Sequence, residues 1–300
     1  VFHTQNNSNA TIYFGSIASK GNSTRFGNYI SGGPGHPAAA LLRCCSNQTR
    51  AVFAGGYLLE SPYGFVTSQM GDITIASEGN ATVFGDLTIA RYGMNATSNQ
   101  VRGIFAGGQG GNPYPHFNTI DFITLSSVGD AVEFGELTET QFFLSAASSQ
   151  TRGLFSGGNN PQSVNTIQFI TIASTGDSVD FGDLSGNAAF GQCGYGNGVR
   201  GVLHSGSGTN PYTISDLTFI NFATTGNSSD YGELTATKQP ATSFSSKTRG
   251  LICCSRVPAN SNQIDANEIM TGGTSVDFGD YSATSMLSAA FGTSNDHSGL

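Results

Sequence analysis

The sequence predicts an all-β fold, a six-bladed β-propeller with four antiparallel strands in each blade. A repeated phrase is the first observation behind this prediction. An arginine turn, a short apolar strand and a glycine pair follow one another in TRAVFAGG (49–56), VRGIFAGG (101–108) and TRGLFSGG (151–158). Looser copies are VRGVLHSG (199–206) and TRGLICCS (248–255).

A second phrase repeats in phase with the first. Glycine and Asn or Asp are followed by three variable residues and then by Phe-Gly-Asp/Glu, as in GDAVEFGE (129–136). The aromatic residue of this phrase recurs at Phe26, Phe84, Phe134, Phe181, Tyr231 and Phe278. The successive spacings are 58, 50, 47, 50 and 47 residues. A fixed period of this length indicates a solenoid or a propeller.

The chain ends favour the propeller. Counting from Phe278 to Leu300 and onward from Val1 to Phe26 gives 48 residues, one further period. The N-terminus is therefore expected to supply the later strands of a repeat whose first strand lies at the C-terminus. A linear solenoid would need capping repeats instead, whereas a shared blade of this kind closes a ring.

Each repeat is predicted to form four strands, called a to d. In one repeat, strand a is the small-residue run 142–149, b is 153–157, c is 166–174 and d is 178–184. Strand c alternates with period 2, a Gly-Asp signal predicts a hairpin between c and d, and small residues on strand a suit a crowded central axis. The predicted blades of this single domain (1–300) are 285–300 with 1–28, 38–87, 89–137, 140–184, 187–234 and 237–281.

This pattern resembles the Kelch repeat, in which about 50 residues form one blade. The resemblance rests on strand c, on a strand-d aromatic that is Phe or Tyr instead of Trp, and on the glycine pairs Gly55-Gly56, Gly107-Gly108 and Gly157-Gly158. The wording is also similar to propeller repeats in virion- and tail-associated proteins of marine, especially cyanobacterial, bacteriophages. The Kelch resemblance covers essentially the whole chain, and many of the similar phage proteins are assigned only as structural.

Composition argues against several classes of function. Charged residues make up 11% of the chain and the net charge is −8 without any run of Lys or Arg, so no nucleic-acid partner is expected. No apolar run approaches the roughly 20 residues of a membrane span, so no membrane insertion is expected. The start within a repeat, without Met or a signal peptide, predicts a processed product or an excised domain.

The cysteines are predicted to be small apolar residues that fill space on strands. Their odd number and their spacing do not suit a disulfide framework or a structural zinc site. They are Cys44, Cys45, Cys193, Cys253 and Cys254.

Two sets of charged residues recur once per repeat. The arginines are Arg50, Arg102, Arg152, Arg200 and Arg249. The acids after Phe-Gly or Tyr-Gly are Asp86, Glu136, Asp183, Glu233 and Asp280. The ring-closing repeat lacks both, with Ser298 and Asn28 in their places. This shared exception predicts that the two sets form structural ion pairs or shared hydrogen-bond networks, and a ring of arginines that binds an anion is the functional alternative.

No catalytic site is predicted. His3, His204 and Cys253 share the strand-b position on successive blades, but equivalent atoms there lie on the order of 10 Å apart, too far for one metal ion. One aspartate per repeat recurs near the start of strand c, which supplies too few oxygen ligands for a calcium ion. These residues are Asp72, Asp121, Asp216 and Asp265. The motifs of hydrolases, phosphate-binding loops, sialidase-type propellers and copper-radical oxidases are missing. We expect no enzyme, no cofactor and no metal.

The b–c and d–a loops emerge on one face of the disc and differ most between repeats. Variable loops on a rigid scaffold often carry function, and exposed aromatic residues beside Asn suit a sugar or a protein partner. The candidate binding residues on this face are Tyr57, Tyr63, Phe65, Tyr114, His116, Tyr212 and His36. The alternative is that these side chains fold back over the loop bases.

The sequence therefore predicts a non-enzymatic structural or adhesive module of a phage virion or an extracellular assembly. Its expected partners are a host-surface glycan or neighbouring virion proteins in a homo- or hetero-oligomeric assembly. A purely architectural capsid or tail subunit is the first alternative. A Kelch-type protein-interaction adaptor is a lesser one.

Overall fold

The fold is all-β and is arranged as a β-propeller. The computed structural model describes residues 2–6, 9–29, 39–58, 65–160, 162–185, 193–204, 214–238, 240–255, 261–281 and 291–292. Within these ranges the chain forms strands and turns and no helix. The predicted all-β propeller fold is thereby confirmed, and the sheets of the blades are four-stranded and antiparallel as expected.

The first half of the chain contributes three strands at the N-terminus and blades I and II. The N-terminal strands are β1 (Phe2–Asn6), β2 (Asn9–Phe14) and β3 (Thr24–Asn28). A short strand β4 (Ala39–Ala40) precedes blade I and pairs with β7 (Tyr57–Leu58). Blade I is β5 (Arg43–Ser46), β6 (Arg50–Ala54), β8 (Gln69–Thr74) and β9 (Thr82–Asp86). Blade II is β10 (Asn95–Ser98), β11 (Arg102–Ala106), β12 (Thr119–Thr124) and β13 (Val132–Glu136).

The second half contributes blades III to V and one last strand. Blade III is β14 (Ser145–Ser148), β15 (Arg152–Ser156), β18 (Thr166–Thr171) and β19 (Val179–Asp183), with a side hairpin of β16 (Asn159–Asn160) and β17 (Gln162–Ser163). Blade IV is β20 (Gly194–Gly196), β21 (Arg200–His204), β22 (Ile214–Asn221) and β23 (Ser229–Lys238). Blade V is β24 (Pro240–Ser245), β25 (Arg249–Ser255), β26 (Ser261–Glu268) and β27 (Val276–Asp280), and the last strand is β28 (Phe291–Gly292). The strands of blades I, II, III and V fall within the predicted repeats, and β23 runs past the predicted limit of 234.

One further sheet, called the joining sheet, brings the two chain ends together. Strand β28 pairs with β1, and β2 and β3 follow in order. Strand β28 also lies beside β24 of blade V and β5 of blade I. Six blades were predicted and the structure shows five. Most of the predicted segment 285–300 lies outside the described residues.

The second repeated phrase forms the contact between neighbouring blades. The N–H of Gly129 donates to the Phe84 carbonyl (2.9 Å), and the N–H of Ala131 donates to the Asp86 carbonyl (2.8 Å). The Asp86 N–H in turn donates to Asp130 Oδ1 (3.0 Å). The Phe-Gly-Asp/Glu end of one blade thus pairs with the Gly-Asn/Asp turn of the next, which explains why the two halves of the phrase repeat together.

The glycine of Phe-Gly-Asp/Glu is required by the closeness of this contact. Gly135 has a φ of 158°. A Cβ atom on Gly135 would lie 2.4 Å from the carbonyl oxygen of Gly176 in the next blade. Gly135 pairs with Ile120 of strand c at a β-bulge, and the equivalent Ile167 of blade III and its neighbour Gln168 are both buried. The extra residue of the bulge is Phe134 on strand d, so strand c keeps a regular register with strand b.

The hydrophobic core lies between blades. One cluster joins Ile104 and Phe134 of blade II to Leu144, Phe155 and Ile170 of blade III. The first strands of blades I to V line a central cavity of about 70 Å³. Serine hydroxyls connect these strands, as Ser98 Oγ donates to the Ser46 carbonyl (2.8 Å). The small residues predicted for strand a thus lie at the axis.

The repeated arginines also connect blades, but not through the predicted acids. Arg102 Nη1 donates to the carbonyl of Ile172 in the next blade (2.9 Å), and its guanidinium lies 4.7 Å from the ring centre of Phe122. Arg152 and Arg200 repeat this arrangement over Phe169 and Phe219. No ion pair among the described residues joins the two predicted sets. The prediction was wrong because the acids contribute mainly backbone groups to the next blade, while arginine uses an aromatic face.

Blades I and V keep the arginine and change its partner. Strand c of blade I has Asp72 where blades II to IV have Phe, and Arg50 Nε lies 3.0 Å from its carboxylate. Arg249 of blade V pairs with Glu268 at 3.0 Å. Both still reach the next sheet, and Arg249 donates to the Ile17 carbonyl of the joining sheet (3.0 Å). The contact between blades is thus the constant element, and the partner within the blade varies.

Candidate functional site

The candidate site lies on the face formed by the b–c and d–a connections, where the d–a segments that precede blades I, II and III dock against the b–c segments of those blades. Ala40 pairs with Tyr57 in blade I. Tyr92 pairs with Gln109 in blade II, and Phe142 pairs with Asn159 in blade III. Equivalent backbone pairs thus present side chains from three blades in a comparable way. This arrangement places several aromatic residues near one another.

Five aromatic side chains form a continuous row across blades I to III. The row, called the aromatic row below, consists of Tyr57, Tyr92, Phe143, Phe142 and His116. The distances between successive ring centres are 5.2 Å, 6.4 Å, 4.9 Å and 4.5 Å. The five residues are half-buried, so they combine packing with access from this face.

Backbone hydrogen bonds between blades hold the row in place. The N–H of Gly93 donates to the Leu41 carbonyl (3.3 Å), and the N–H of Phe143 donates to the Gly93 carbonyl (2.6 Å). Phe143 has a φ of 56°, in the left-handed region that bulky residues rarely adopt. Such strained positions persist only where the surroundings fix them, and they are often found at functional sites.

A buried ion pair anchors the d–a segment beneath Tyr92. Arg91 Nη2 lies 3.0 Å from Asp121 Oδ2, and both side chains are fully buried. The guanidinium also donates to the Phe105 and Thr119 carbonyls (both 3.3 Å), while Thr88 Oγ1 donates to Asp121 Oδ1 (2.6 Å). Burial lowers the pKa of Arg91, which the Asp121 charge opposes. Several hydrogen bonds accompany the ion pair, as a buried pair requires.

Tyr92 is the centre of a polar network in the row. Its hydroxyl donates to Gln109 Oε1, and Gln109 Nε2 donates to the Tyr114 carbonyl (3.3 Å). Burial, with the nearby Tyr57 and Tyr114, raises the pKa of Tyr92 to about 12. Burial lowers the pKa of His116, so its imidazole is neutral at pH 7. The site as a whole is therefore aromatic, uncharged and rich in hydroxyl and amide groups.

The structure brings together three of the predicted binding residues. Tyr57 and His116 belong to the aromatic row, and Tyr114 lies beside it with 45% of its surface exposed. Phe65 is also exposed, at 58%, and makes no ring contact with the row within the described part of the chain. The remaining predicted residues, Tyr63, Tyr212 and His36, lie outside the described residues.

Sequence reasoning missed three members of the row. Tyr92, Phe142 and Phe143 lie on d–a segments that were considered parts of the blade scaffold. A signal was present, because Tyr92 and Phe142 are 50 residues apart, the same distance as Phe84 and Phe134. Two aromatic residues at the same phase of the repeat indicate side chains that neighbouring blades place side by side.

The other candidate groups lie on or beside the strands of the sheets. His204 and Cys253 are buried, and the side chain of His3 is not described. Cys44, Cys45, Cys193 and Cys253 are buried, as expected of apolar fillers. Among the predicted aspartates, Asp121 and Asp265 occupy the bulge position of strand c, Asp72 lies one residue later, and Asp216 precedes it. No group of three potential metal ligands occurs in the part of the chain that the structure describes.

Comparison with known proteins assigns no family to this chain, so any proposed function depends on the geometry of the site. No protein-family model matches the chain, and a search of curated proteins finds no significant relative. The structural likeness to propellers is therefore a statement about fold alone. Among the described residues, no helix is long and apolar enough to cross a membrane.

Proposed function

We propose that this chain is a non-enzymatic propeller module that attaches to its partner through the b–c/d–a loop face, as part of a phage virion or another extracellular assembly. The aromatic row is the observation that carries the proposal. Half-buried aromatic side chains combine a large apolar surface with limited conformational freedom, and they are enriched at binding surfaces. The hydrogen bonds of Gly93 and Phe143 fix the row before a partner arrives, which reduces the entropy lost on binding.

The proposal includes a closed, Kelch-like ring in which the joining sheet is the sixth blade. Its support is that the joining sheet makes the same contacts as a blade. Asp280 N–H donates to Asn22 Oδ1 (3.1 Å), and Asn28 N–H donates to Asn80 Oδ1 (3.0 Å). Deleting residues 285–300 removes β28 and should lower the melting temperature by several degrees. An unchanged melting temperature would contradict ring closure.

The attachment role is tested with the labelled recombinant chain and cyanobacterial cells. We expect saturable binding that is lost in a Tyr57→Ala/Tyr114→Ala/His116→Ala variant. The matched control is Val101→Ser/Val199→Ser, because these exposed valines lie at the a–b turns on the opposite face of the disc. Equal binding by both variants, or no binding by the folded chain, would contradict attachment through the aromatic row.

A purely architectural subunit is the second candidate, and the outer strands favour it. Val132, Val179 and Val276 occupy equivalent positions on β13, β19 and β27 and are 57%, 59% and 55% exposed. Apolar side chains repeated along an outer edge suit packing into a larger assembly. In this role the chain would form oligomers whose size, measured by analytical ultracentrifugation, falls when all three valines are replaced by threonine. The architectural role would be contradicted if the parent chain is a monomer at every concentration and the triple threonine variant is incorporated into particles as well as the parent chain is.

A further inference from the structure

Three tyrosines meet where the d–a and b–c segments of blades I and II adjoin. Tyr57 and Tyr92 pack edge to face with ring centres 5.2 Å apart. Tyr114 is linked to Tyr92 through the amide of Gln109. We call Tyr57, Tyr92 and Tyr114, with Gln109 and His116, the tyrosine cluster. Its members combine packing surface with hydrogen-bonding groups.

The hydroxyl groups of the cluster are only partly used within the protein. The Tyr92 hydroxyl donates its hydrogen to Gln109 and keeps its lone pairs as acceptors. The hydroxyls of Tyr57 and Tyr114 form no hydrogen bond with the described part of the chain. Each of them can both donate and accept. A ligand with many hydroxyl groups would satisfy this combination of donors and acceptors.

The charge of the cluster favours a neutral ligand. The cluster contains no Asp, Glu, Lys or Arg side chain. The nearest arginine along the chain, Arg91, is fully buried and bound to Asp121. The net charge of −8 opposes an anionic ligand. Neutral saccharides therefore fit this surface better than sialylated or sulfated ones.

We infer that the tyrosine cluster binds a neutral pyranose unit of a glycan, an inference that rests on the function proposed above. The exposed ring of Tyr114 packs against the C–H face of the sugar ring, as aromatic side chains in ligand sites do. The Tyr57 and Tyr114 hydroxyls exchange hydrogen bonds with sugar hydroxyls. Gln109 is a positioning residue, because it holds both the Tyr92 hydroxyl and the Tyr114 backbone.

The inference is tested by titrating the full chain with maltohexaose, cellohexaose and mannohexaose, with 3′-sialyllactose and choline chloride as charged probes. Tyrosine fluorescence reports binding directly, because the chain contains no tryptophan. We expect saturation by at least one neutral oligosaccharide. Tyr114→Ala should then raise Kd about tenfold, and Tyr57→Phe, which removes only a hydroxyl, should raise it less. Val199→Ser on the opposite face should leave Kd unchanged.

The inference is overturned if no neutral oligosaccharide saturates, if choline or sialyllactose alone binds, or if Tyr114→Ala binds as the parent does. Periodate oxidation of the cell-surface glycans separates this inference from the proposed attachment role. Binding to cells that survives periodate treatment would overturn glycan recognition and leave attachment to a protein partner. A chain that binds neither treated nor untreated cells would contradict the attachment role itself.

Discussion

The contacts between blades and the aromatic row lie on the same ring but follow different rules. The contact between a Phe-Gly-Asp/Glu strand end and the next Gly-Asn/Asp turn is nearly the same from blade I to blade V and at the joining sheet. Within the described part of the chain, the aromatic row extends over blades I to III. Repeated residues therefore build the scaffold, while residues that differ between repeats shape the face that a partner would meet.

A second comparison concerns the supports beneath the row. In blade II, the fully buried pair Arg91 and Asp121 links the d–a segment to strand c. In blade III, Gln141 and Gln168 occupy the equivalent places, and Gln168 Nε2 donates to Gln141 Oε1 at 2.8 Å. The same two positions of a blade thus accept either a charged pair or a neutral pair of side chains. The neutral pair avoids the desolvation of two charges.

The largest effect is expected from breaking the charged pair on one side. Arg91→Met leaves the Asp121 carboxylate buried without its cation, which should lower the free energy of unfolding by about 3–5 kcal/mol. Urea denaturation measures this change. The double variant Arg91→Gln/Asp121→Gln copies blade III and should recover most of the loss. A double variant as unstable as Arg91→Met would show that the two supports are not interchangeable.

A smaller effect is expected at the glycine of the contact between blades. A Cβ on Gly135 would meet the Gly176 carbonyl, whereas a Cβ on Gly129 would meet nothing within 4 Å. The two residues have nearly the same φ, 158° and 154°. Gly135→Ala should therefore cost about 2 kcal/mol more than Gly129→Ala, the cost of overpacking alone. Equal costs, measured by thermal unfolding, would mean that backbone strain and not the contact selects glycine.

Most of the fold could be predicted from the sequence, because the repeat determines where the strands lie along the chain and a propeller requires neighbouring blades to contact one another. The partners of the arginines could not be predicted. Arg50 and Arg102 occupy equivalent phrases, yet Arg50 pairs with the strand-c carboxylate of Asp72 while Arg102 lies over the strand-c ring of Phe122. That difference depends on one residue of strand c, which has the same register opposite strand b in both blades. Of the site, the loop residues Tyr57, Tyr114 and His116 were predicted, but Tyr92 was not, because its segment reads as scaffold.

The two forms of the arginine contact should differ in their sensitivity to mutation. Arg200→Met loses the contact with the Phe219 ring at 4.2 Å and its hydrogen bonds to the Ile269 and Met270 carbonyls. This should cost about 1 kcal/mol. Arg50→Met should cost more, because the largely buried Asp72 carboxylate remains without its cation.

The control for both arginine variants is Arg25→Met, since Arg25 is exposed and, among the described residues, its side chain forms a hydrogen bond with Asn28 alone, three residues away. Its unfolding curve should match that of the parent chain. If Arg200→Met is the more destabilising of the two test variants, the aromatic contact contributes more than the ion pair that replaces it in blade I.

The smallest effect on stability is expected where we propose the largest effect on binding. Tyr114 is nearly half exposed and lies on a loop outside the contacts between blades, so Tyr114→Ala should change the free energy of unfolding by less than about 0.5 kcal/mol. Tyr92→Ala should cost more, because it removes a half-buried ring and its hydrogen bond to Gln109. If Tyr114→Ala instead destabilises the chain as much as Tyr92→Ala, the ring of Tyr114 packs as part of the scaffold. Scaffold and binding face would then share this residue, and a loss of binding in its variant could no longer be assigned to the ligand contact.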